Sequence, residues 1–595
     1  MQDSADSQIK SMKIDGKMSM GETHAMPENR VEDTLAYPIL ENGPSRNLLV
    51  ARPGGRWPVA IMFCTLAFIV CMLFSVTPLL RMVDPAITLH IALGSLVGAV
   101  SSWLPFTVGS IHHDTVNSFE FFGSITLAFL AYGLGMVLVA RQREGRQQFP
   151  VRCCIWLATI LAGAFYIVTP TLLSHDTMVY AGYGRLLAVY RVNPYFVPLA
   201  VFPHDPLTPL NQWAQSTSAY GPLWILVCGF WGALLKGDAT TYVLAFRLFA
   251  SAANVCNIWL IGRTLQATGR SPRAVTLGML VYAWNPLVLL ESSLDGHNDV
   301  FMILFALLGM LLAVRAERSG QLLRARGYLL PTVAFTLAAL VKFTALPILA
   351  AYLLFLACKA LRPTADSPQR LSQALRNWQR AVQVLLWSGV AAMLVAVAFY
   401  GPFWLGHSLH AIALSFTNVP SSTGAKHSFL YSVIVLVQSH SSHAHNFLLV
   451  HLSSRRVWDD LTYLALALCL LLGAYRLWLK PGLSTFRTLV LALMCIVLLI
   501  TPWFYPWYIT WLVGLAAICL PRREQRTTWA LLALALTFSY SALSFYIIGF
   551  LGARVYLWPL FNTLPPVCAF LLCWLTHPAL FARAKSQRST GEKEA

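Results

Sequence analysis

Apolar positions in this chain come in long blocks rather than in the alternating or 3.6-residue rhythm of half-buried strands and helices. From Trp57 to about residue 576, stretches such as CCIWLATILAGAFYIVTPTLL (153–173) are divided by short charged connections. Many of these blocks reach the roughly 20 apolar residues that a hydrocarbon core of ~30 Å requires. The pattern predicts an all-α polytopic membrane protein. Two blocks fit it less well. The segment 219–235 (AYGPLWILVCGFWGALL) is short and 88–110 is comparatively polar, so both are expected to lie on the membrane or re-enter it rather than span.

The connections carry an orientation signal. Arg141, Arg143, Arg146 and Arg152 face only Glu144, and Arg263, Arg270 and Arg273 face no acid. Lys359, Arg362, Arg370, Arg376 and Arg380 share one loop, Arg476, Lys480 and Arg487 another, and Arg522, Arg523 and Arg526 a third. Positive residues in short loops stay cytoplasmic. The complementary loops, 174–240, 291–299, 405–459 and a short one near 501–506, then lie outside. This arrangement predicts about fourteen spans with both termini cytoplasmic. The organisation expected is a disordered cytoplasmic tail over 1–56, a transmembrane domain over 57–576 and a basic cytoplasmic tail over 577–595. The first apolar block begins too late for a cleaved signal peptide.

Composition supports the membrane reading. Of 595 residues, 57% are hydrophobic and 11% charged, with mean hydropathy +0.60, where soluble domains carry about 25% charged residues. The net charge of +18 resides in the inter-block loops, so it marks orientation and disfavours a nucleic-acid partner. The twelve cysteines lie in or beside apolar blocks, with neither a disulfide framework nor zinc spacing. Acids are scarce near the membrane, and Asp176, Asp205, Glu291, Asp295 and Asp299 all fall on the side predicted to be outer. Ionisable groups there are costly and are functional candidates by default.

LLSHDTMVYAGYGRLL (172–187) begins where an apolar block stops. Asp176 opens an amphipathic helix, with Tyr180, Tyr183 and Gly184 on one face. Its carboxylate suits a helix cap or a general base, and Ser174 and Thr177 can cap in its place. The next segment, 193–224, is long, proline-rich and aromatic, as functional loops often are. NPLVLLESSLDGHNDVFM (285–302) concentrates Glu291, Asp295, His297, Asn298 and Asp299. His and carboxylates can ligate a metal, but no ligand count is fixed by spacing. Hydrogen bonding to a polyhydroxylated ligand, or support of Asp176, is the preferred reading. Lys342, in ALVKFTALP, either snorkels or binds an anionic phosphate. TPWFYPWYITW (501–511) offers Trp503, Trp507 and Tyr508 as an interfacial belt or as sugar-stacking rings. The histidines of 405–459 lack a ligand signature.

In chain order, DxxxYxxxGR (Asp176, Tyr180, Gly184, Arg185), NPY (193–195), YGPLW (220–224), NPLVLLE (285–291), GHND (296–299), VKFTAL (341–346) and PWYITW (506–511) resemble the GT-C class of integral-membrane glycosyltransferases. Within it they are most similar to the bacterial polyprenol-phosphate-mannose-dependent alpha-(1,6)-mannosyltransferases. The resemblance covers roughly 57–576. It implies a multi-helix membrane bundle with an external catalytic loop whose acid, here Asp176, is the general base. It also implies a polyprenyl-phosphate-linked sugar donor, a glycan or glycolipid acceptor, inversion at the sugar and a plasma-membrane location. No cofactor is implied. The substrate-contacting candidates are then His175, Tyr180, Arg185, Asn193, Tyr195, Tyr220, Glu291, Asp295, His297, Asn298, Asp299, Lys342, Trp503, Trp507 and Tyr508. Arg185 and Lys342 are the candidates for the donor phosphate. A transporter of lipid-linked sugars is the rival class, but it would more often show inverted repeats and mid-membrane charges. A different lipid-linked sugar is the other alternative.

Overall fold

Helices α1 (Arg56–Arg81), α2 (Asp114–Arg141) and α3 (Phe149–Val168) occupy the first three apolar blocks that the structure, a computed structural model, describes. It describes residues 56–81, 114–142, 148–169, 172–235, 239–362, 370–417, 455–501, 504–521, 525–546 and 561–576. The two terminal tails, the segment 88–110, Trp503 and most of the 405–459 loop lie outside the described residues.

No strand occurs among the described residues, so the fold is all-α. After α3 come two short helices, α4 (Asp176–Ala188) and α5 (Pro222–Leu234), joined by a loop of turns. The long α6 (Ala239–Ala267) is followed by a broken element. This comprises α7 (Pro272–Ala283), α8 (Pro286–Leu289) and a π turn, Leu290–Leu294, bent by 56° where Asn285 caps the second piece. Next are α9 (Asp299–Arg318), α10 (Ala325–Val341), α11 (Leu346–Leu361), α12 (Arg370–Trp404) and α13 (Leu409–Thr417). The chain continues with α14 (Arg455–Leu479), α15 (Leu483–Ile500), α16 (Ile509–Ile518), α17 (Arg526–Ser541) and α18 (Leu564–Thr576).

Among the described residues, eight helices are long and apolar enough to cross a membrane, or nine with the bent pair, against the fourteen expected. Six further apolar helices have 10–17 residues. One of them is α5, 13 residues long and too short for a straight span, as its sequence suggested. Helices differ sharply in what they face. In its most apolar window α12 is only 11% buried, whereas α9 is 61% buried. An apolar surface so exposed suits hydrocarbon contact, and α9 sits in the interior beside α6 and α10.

Two close approaches fix the short helices and the turn between them. Gly184 on α4 lies against the backbone of Cys228 and Gly232 on α5, where an added Cβ would come within 2.3 Å of the Cys228 carbonyl oxygen. Its role in the DxxxYxxxGR motif is therefore close packing of the two short helices. The YGP turn before α5 docks on the end of α10, with the Gly221 amide donating to the Val341 carbonyl at 3.1 Å. That docking sets Tyr220 beside Lys342, whose ammonium lies 5.9 Å from the centre of the Tyr220 ring.

Candidate active site

The start of α4, the broken element after Asn285 and the end of α10 converge on one buried cluster of charged groups. Asp176 is the first residue of α4, and the residue ahead of the helix, His175, makes no side-chain cap. The Asp176 amide instead donates to the Ser174 hydroxyl at 3.2 Å. Three neighbours address the same carboxylate oxygen, Oδ2. Tyr180 donates its hydroxyl at 3.2 Å, Tyr220 donates at 3.1 Å, and His297 Nδ1 stands 3.6 Å away. The side chain keeps 13% of its surface exposed. Burial by itself raises the Asp176 pKa, but the His297 imidazole, the Lys342 ammonium and the Tyr220 hydroxyl outweigh it, and the net shift is below the ordinary carboxylate value.

The GHND loop supplies the other side of the cluster. Gly296 has φ +66°, and a Cβ there would meet the backbone of Phe246 and Arg247 at 3.1–3.2 Å, so a side-chain-free left-handed residue is required. That turn aims His297 between two acids. Its Nε2 lies 3.4 Å from Glu291 Oε2, its Nδ1 faces Asp176, and its ring stacks on Trp507 at 4.0 Å. Glu291 Oε1 accepts the Tyr546 hydroxyl at 2.8 Å. Asp295 Oδ1 accepts the amides of Leu173 at 2.8 Å and Ser174 at 3.1 Å, which fixes the connection leading into Asp176. Burial pushes the Asp295 carboxyl up to about 6, partly offset by His297, Arg247 and the two amides.

Lys342 sits at the interruption between α10 and a single 3₁₀ turn, Phe343–Ala345, in extended conformation. Its ammonium pairs with Asp299 Oδ1 at 2.9 Å, and Trp511 Nε1 donates to the same oxygen at 2.7 Å. The ammonium also lies over the Tyr508 ring, 4.1 Å from its centroid. Lys342 is thus held inside the protein rather than snorkelling. Trp507 stacks on His297, and Tyr508 lies under Lys342.

Not every sequence candidate joins this cluster. Arg185, towards the far end of α4 from Asp176, donates Nε to Asp205 Oδ2 at 2.7 Å in the loop. Asn193 donates to the Phe403 carbonyl at 2.6 Å and its Oδ1 accepts the Tyr195 amide, while the Tyr195 hydroxyl donates to the Tyr220 carbonyl at 2.8 Å. These residues brace the loop that delivers Tyr220. His175 contacts Gln212 at 2.7 Å, beside the cluster. Asn298 is fully buried next to Asp299, and neither of its side-chain polar atoms has a hydrogen-bond partner.

Three participants escape a reading of the sequence. Arg247 on α6 is fully buried and donates to the carbonyls of Leu294, Ile167 and Thr169, tying the π turn to the end of α3. It is the one charged residue between Ala239 and Gly262, which is the signal that could have found it. Trp511 lies inside the PWYITW motif. Tyr546 carries no signal, because a tyrosine in an apolar block reveals nothing about what its hydroxyl meets.

Residues 85–358, which hold most of this cluster, match the family model described as "Alpha-(1->6)-mannopyranosyltransferase, N-terminal domain". Alpha-(1->6)-mannopyranosyltransferase A of Mycobacterium tuberculosis is 28% identical over 312 residues, 51% of this chain and 54% of the relative. The protein of the same name from Corynebacterium glutamicum is 24% identical over 150 residues, 25% of this chain and 30% of the relative. The matches therefore span about half the length of the first relative and less than a third of the second. No solved structure matches. What the comparisons show is therefore a likeness: the 85–358 region is similar to the N-terminal domain of alpha-(1->6)-mannopyranosyltransferases.

Proposed function

We propose that the chain transfers a mannosyl residue from a polyprenyl-phosphate-linked donor to a cell-envelope glycan or glycolipid, forming an alpha-(1->6) linkage with inversion at the outer face of the membrane. The observation that carries this reading is Asp176. It is a buried carboxylate whose Oδ2 is held by Tyr180 and Tyr220, with part of its side chain still exposed.

In a single displacement the acceptor hydroxyl loses its proton to Asp176 as its oxygen attacks the anomeric carbon. The bond from that carbon to the donor phosphate breaks, and polyprenyl phosphate leaves with the electron pair. Two tyrosine hydroxyls on Oδ2 leave Oδ1 for the acceptor. Lys342 is the cation nearest to this centre for the departing phosphate. An ammonium has three N–H donors, so it can keep Asp299 and still offer one. Arg185, bound by Asp205, is left out of that role. The names of the relatives and the match over 85–358 support the sugar and the linkage, and the basic loops support the orientation.

Membranes containing the full chain should consume radiolabelled polyprenyl-phosphate-mannose, and Asp176→Asn at equal expression should lower that transfer by about 10²-fold or more. Undiminished transfer by Asp176→Asn would remove Asp176 as the base.

A further inference from the structure

Four carboxylates, Asp176, Glu291, Asp295 and Asp299, are gathered in this cluster, and only two permanently cationic side chains, Lys342 and Arg247, are buried with them among the described residues. Lys342 is bound to Asp299, and Arg247 donates to backbone carbonyls while its charge favours the ionised form of Asp295. Buried polar atoms without a hydrogen-bond partner are costly, so the open oxygens of this cluster mark a place for a ligand. The pattern of hydrogen bonds says where. Glu291 has one oxygen satisfied by Tyr546 and Asp295 has one satisfied by two amides, while Glu291 Oε2 and Asp295 Oδ2 are buried with no hydrogen-bond partner. Both nitrogens of the fully buried His297 are likewise without a hydrogen-bond partner.

We propose that Glu291 Oε2, Asp295 Oδ2 and His297 Nε2 bind a divalent metal ion of the Mn²⁺ or Zn²⁺ type. One candidate ligand atom from each of the three residues lies within 4.8 Å of the others. The 3.4 Å between His297 Nε2 and Glu291 Oε2 matches the spacing of two ligands about 2.1 Å from a common ion. Two carboxylates and one imidazole are a mixed oxygen–nitrogen set, which suits these ions better than an all-oxygen cage for Ca²⁺. Tyr546 and the Leu173 and Ser174 amides would orient the two carboxylates from behind, as outer-shell donors do in metal sites. A metal on Nε2 leaves the His297 proton on Nδ1, directed at Asp176 Oδ2. The ion would then fix the tautomer of a residue that positions the base. The binding site stands on the geometry alone, and its effect on transfer rests on the function proposed above.

The full chain, stripped with a chelator in detergent and desalted, is titrated with Mn²⁺ while the free-ion EPR signal is followed. One saturable site per chain is expected. Glu291→Gln and Asp295→Asn should each weaken binding at least tenfold, and Tyr546→Phe about tenfold. Mn²⁺ should raise the melting midpoint of the wild type and not of the two ligand variants. Zn²⁺ should displace Mn²⁺, whereas equimolar Ca²⁺ should not; equal displacement by Ca²⁺ would overturn the mixed-ligand site. Absence of saturable binding by the full chain would sink the proposal. Asp176→Asn should bind Mn²⁺ while failing in transfer, so the two readings fail separately.

Discussion

Asp176 and Asp205 are both buried aspartates reached by tyrosine hydroxyls and a cationic neighbour, yet they are built differently. Asp205 Oδ2 accepts from Arg185 at 2.7 Å and from Tyr190 at 2.8 Å, and its Oδ1 accepts the Leu207 amide at 2.9 Å. Both of its oxygens are occupied by the protein. Around Asp176 the reverse holds. Glu291, Asp295, His297, Asn298 and Asp299 each keep at least one buried polar atom with no hydrogen-bond partner. Native proteins satisfy nearly all such groups, and those left over ask for a ligand or for chemistry. The Asp205 knot therefore reads as a brace for the loop, and the Asp176 cluster as the place where something binds. Sequence alone puts Arg185 with the substrate, because a guanidinium fork suits a donor phosphate.

The comparison can be broken at several points. The largest effect is expected from Asp176→Asn, which should lower transfer by about 10²–10⁴-fold, the usual worth of a general base. Its melting midpoint should stay within a few degrees of wild type, and an equal loss of both would make Asp176 structural. Next in size is the Lys342–Asp299 pair. Lys342→Met leaves a buried carboxylate unpaired and should cost about 3–5 kcal/mol. Chemical denaturation of Lys342→Met against the Lys342→Met/Asp299→Leu double variant should show most of that cost recovered, while neither variant regains transfer. Gly184→Leu would drive a side chain into the α5 backbone and should cost about 1–3 kcal/mol or more. Melting curves check it, and activity per folded molecule should fall less than stability does. Smallest is Tyr190→Phe, which removes one of three hydrogen bonds on Asp205 for about 1 kcal/mol. Transfer should be nearly unchanged. A collapse of transfer in Tyr190→Phe would bring the Asp205 knot back into the site.

Much of the fold was legible because hydrocarbon imposes a length and a polarity on any segment inside it. The blocks at 57–81, 119–141, 149–168 and 299–318 needed no tertiary information, since each satisfies its own backbone as a helix. The shortness of 222–234 was equally plain. The break after Ala283 was harder to see. NPLVLLESSL reads as a continuous apolar helix until Asn285 is found capping the second piece, with its side chain also donating to Ser539 at 2.9 Å.

The chain's own order of residues determined that Asp176 and the 291–299 acids sit at the ends of apolar blocks, and that Lys342 interrupts an apolar stretch. What it could not determine was which of these groups meet. Pairing of Lys342 with Asp299, of Arg185 with Asp205, and of Tyr546 with Glu291 joins positions 43, 20 and 255 residues apart. Such pairings depend on close approaches between elements, such as Gly184 on α5 and the YGP turn on α10, and on the left-handed turn at Gly296. Hydrophobic blocks set where most of the long helices lie. Only packing decided which buried charges were satisfied and which were left with an open side.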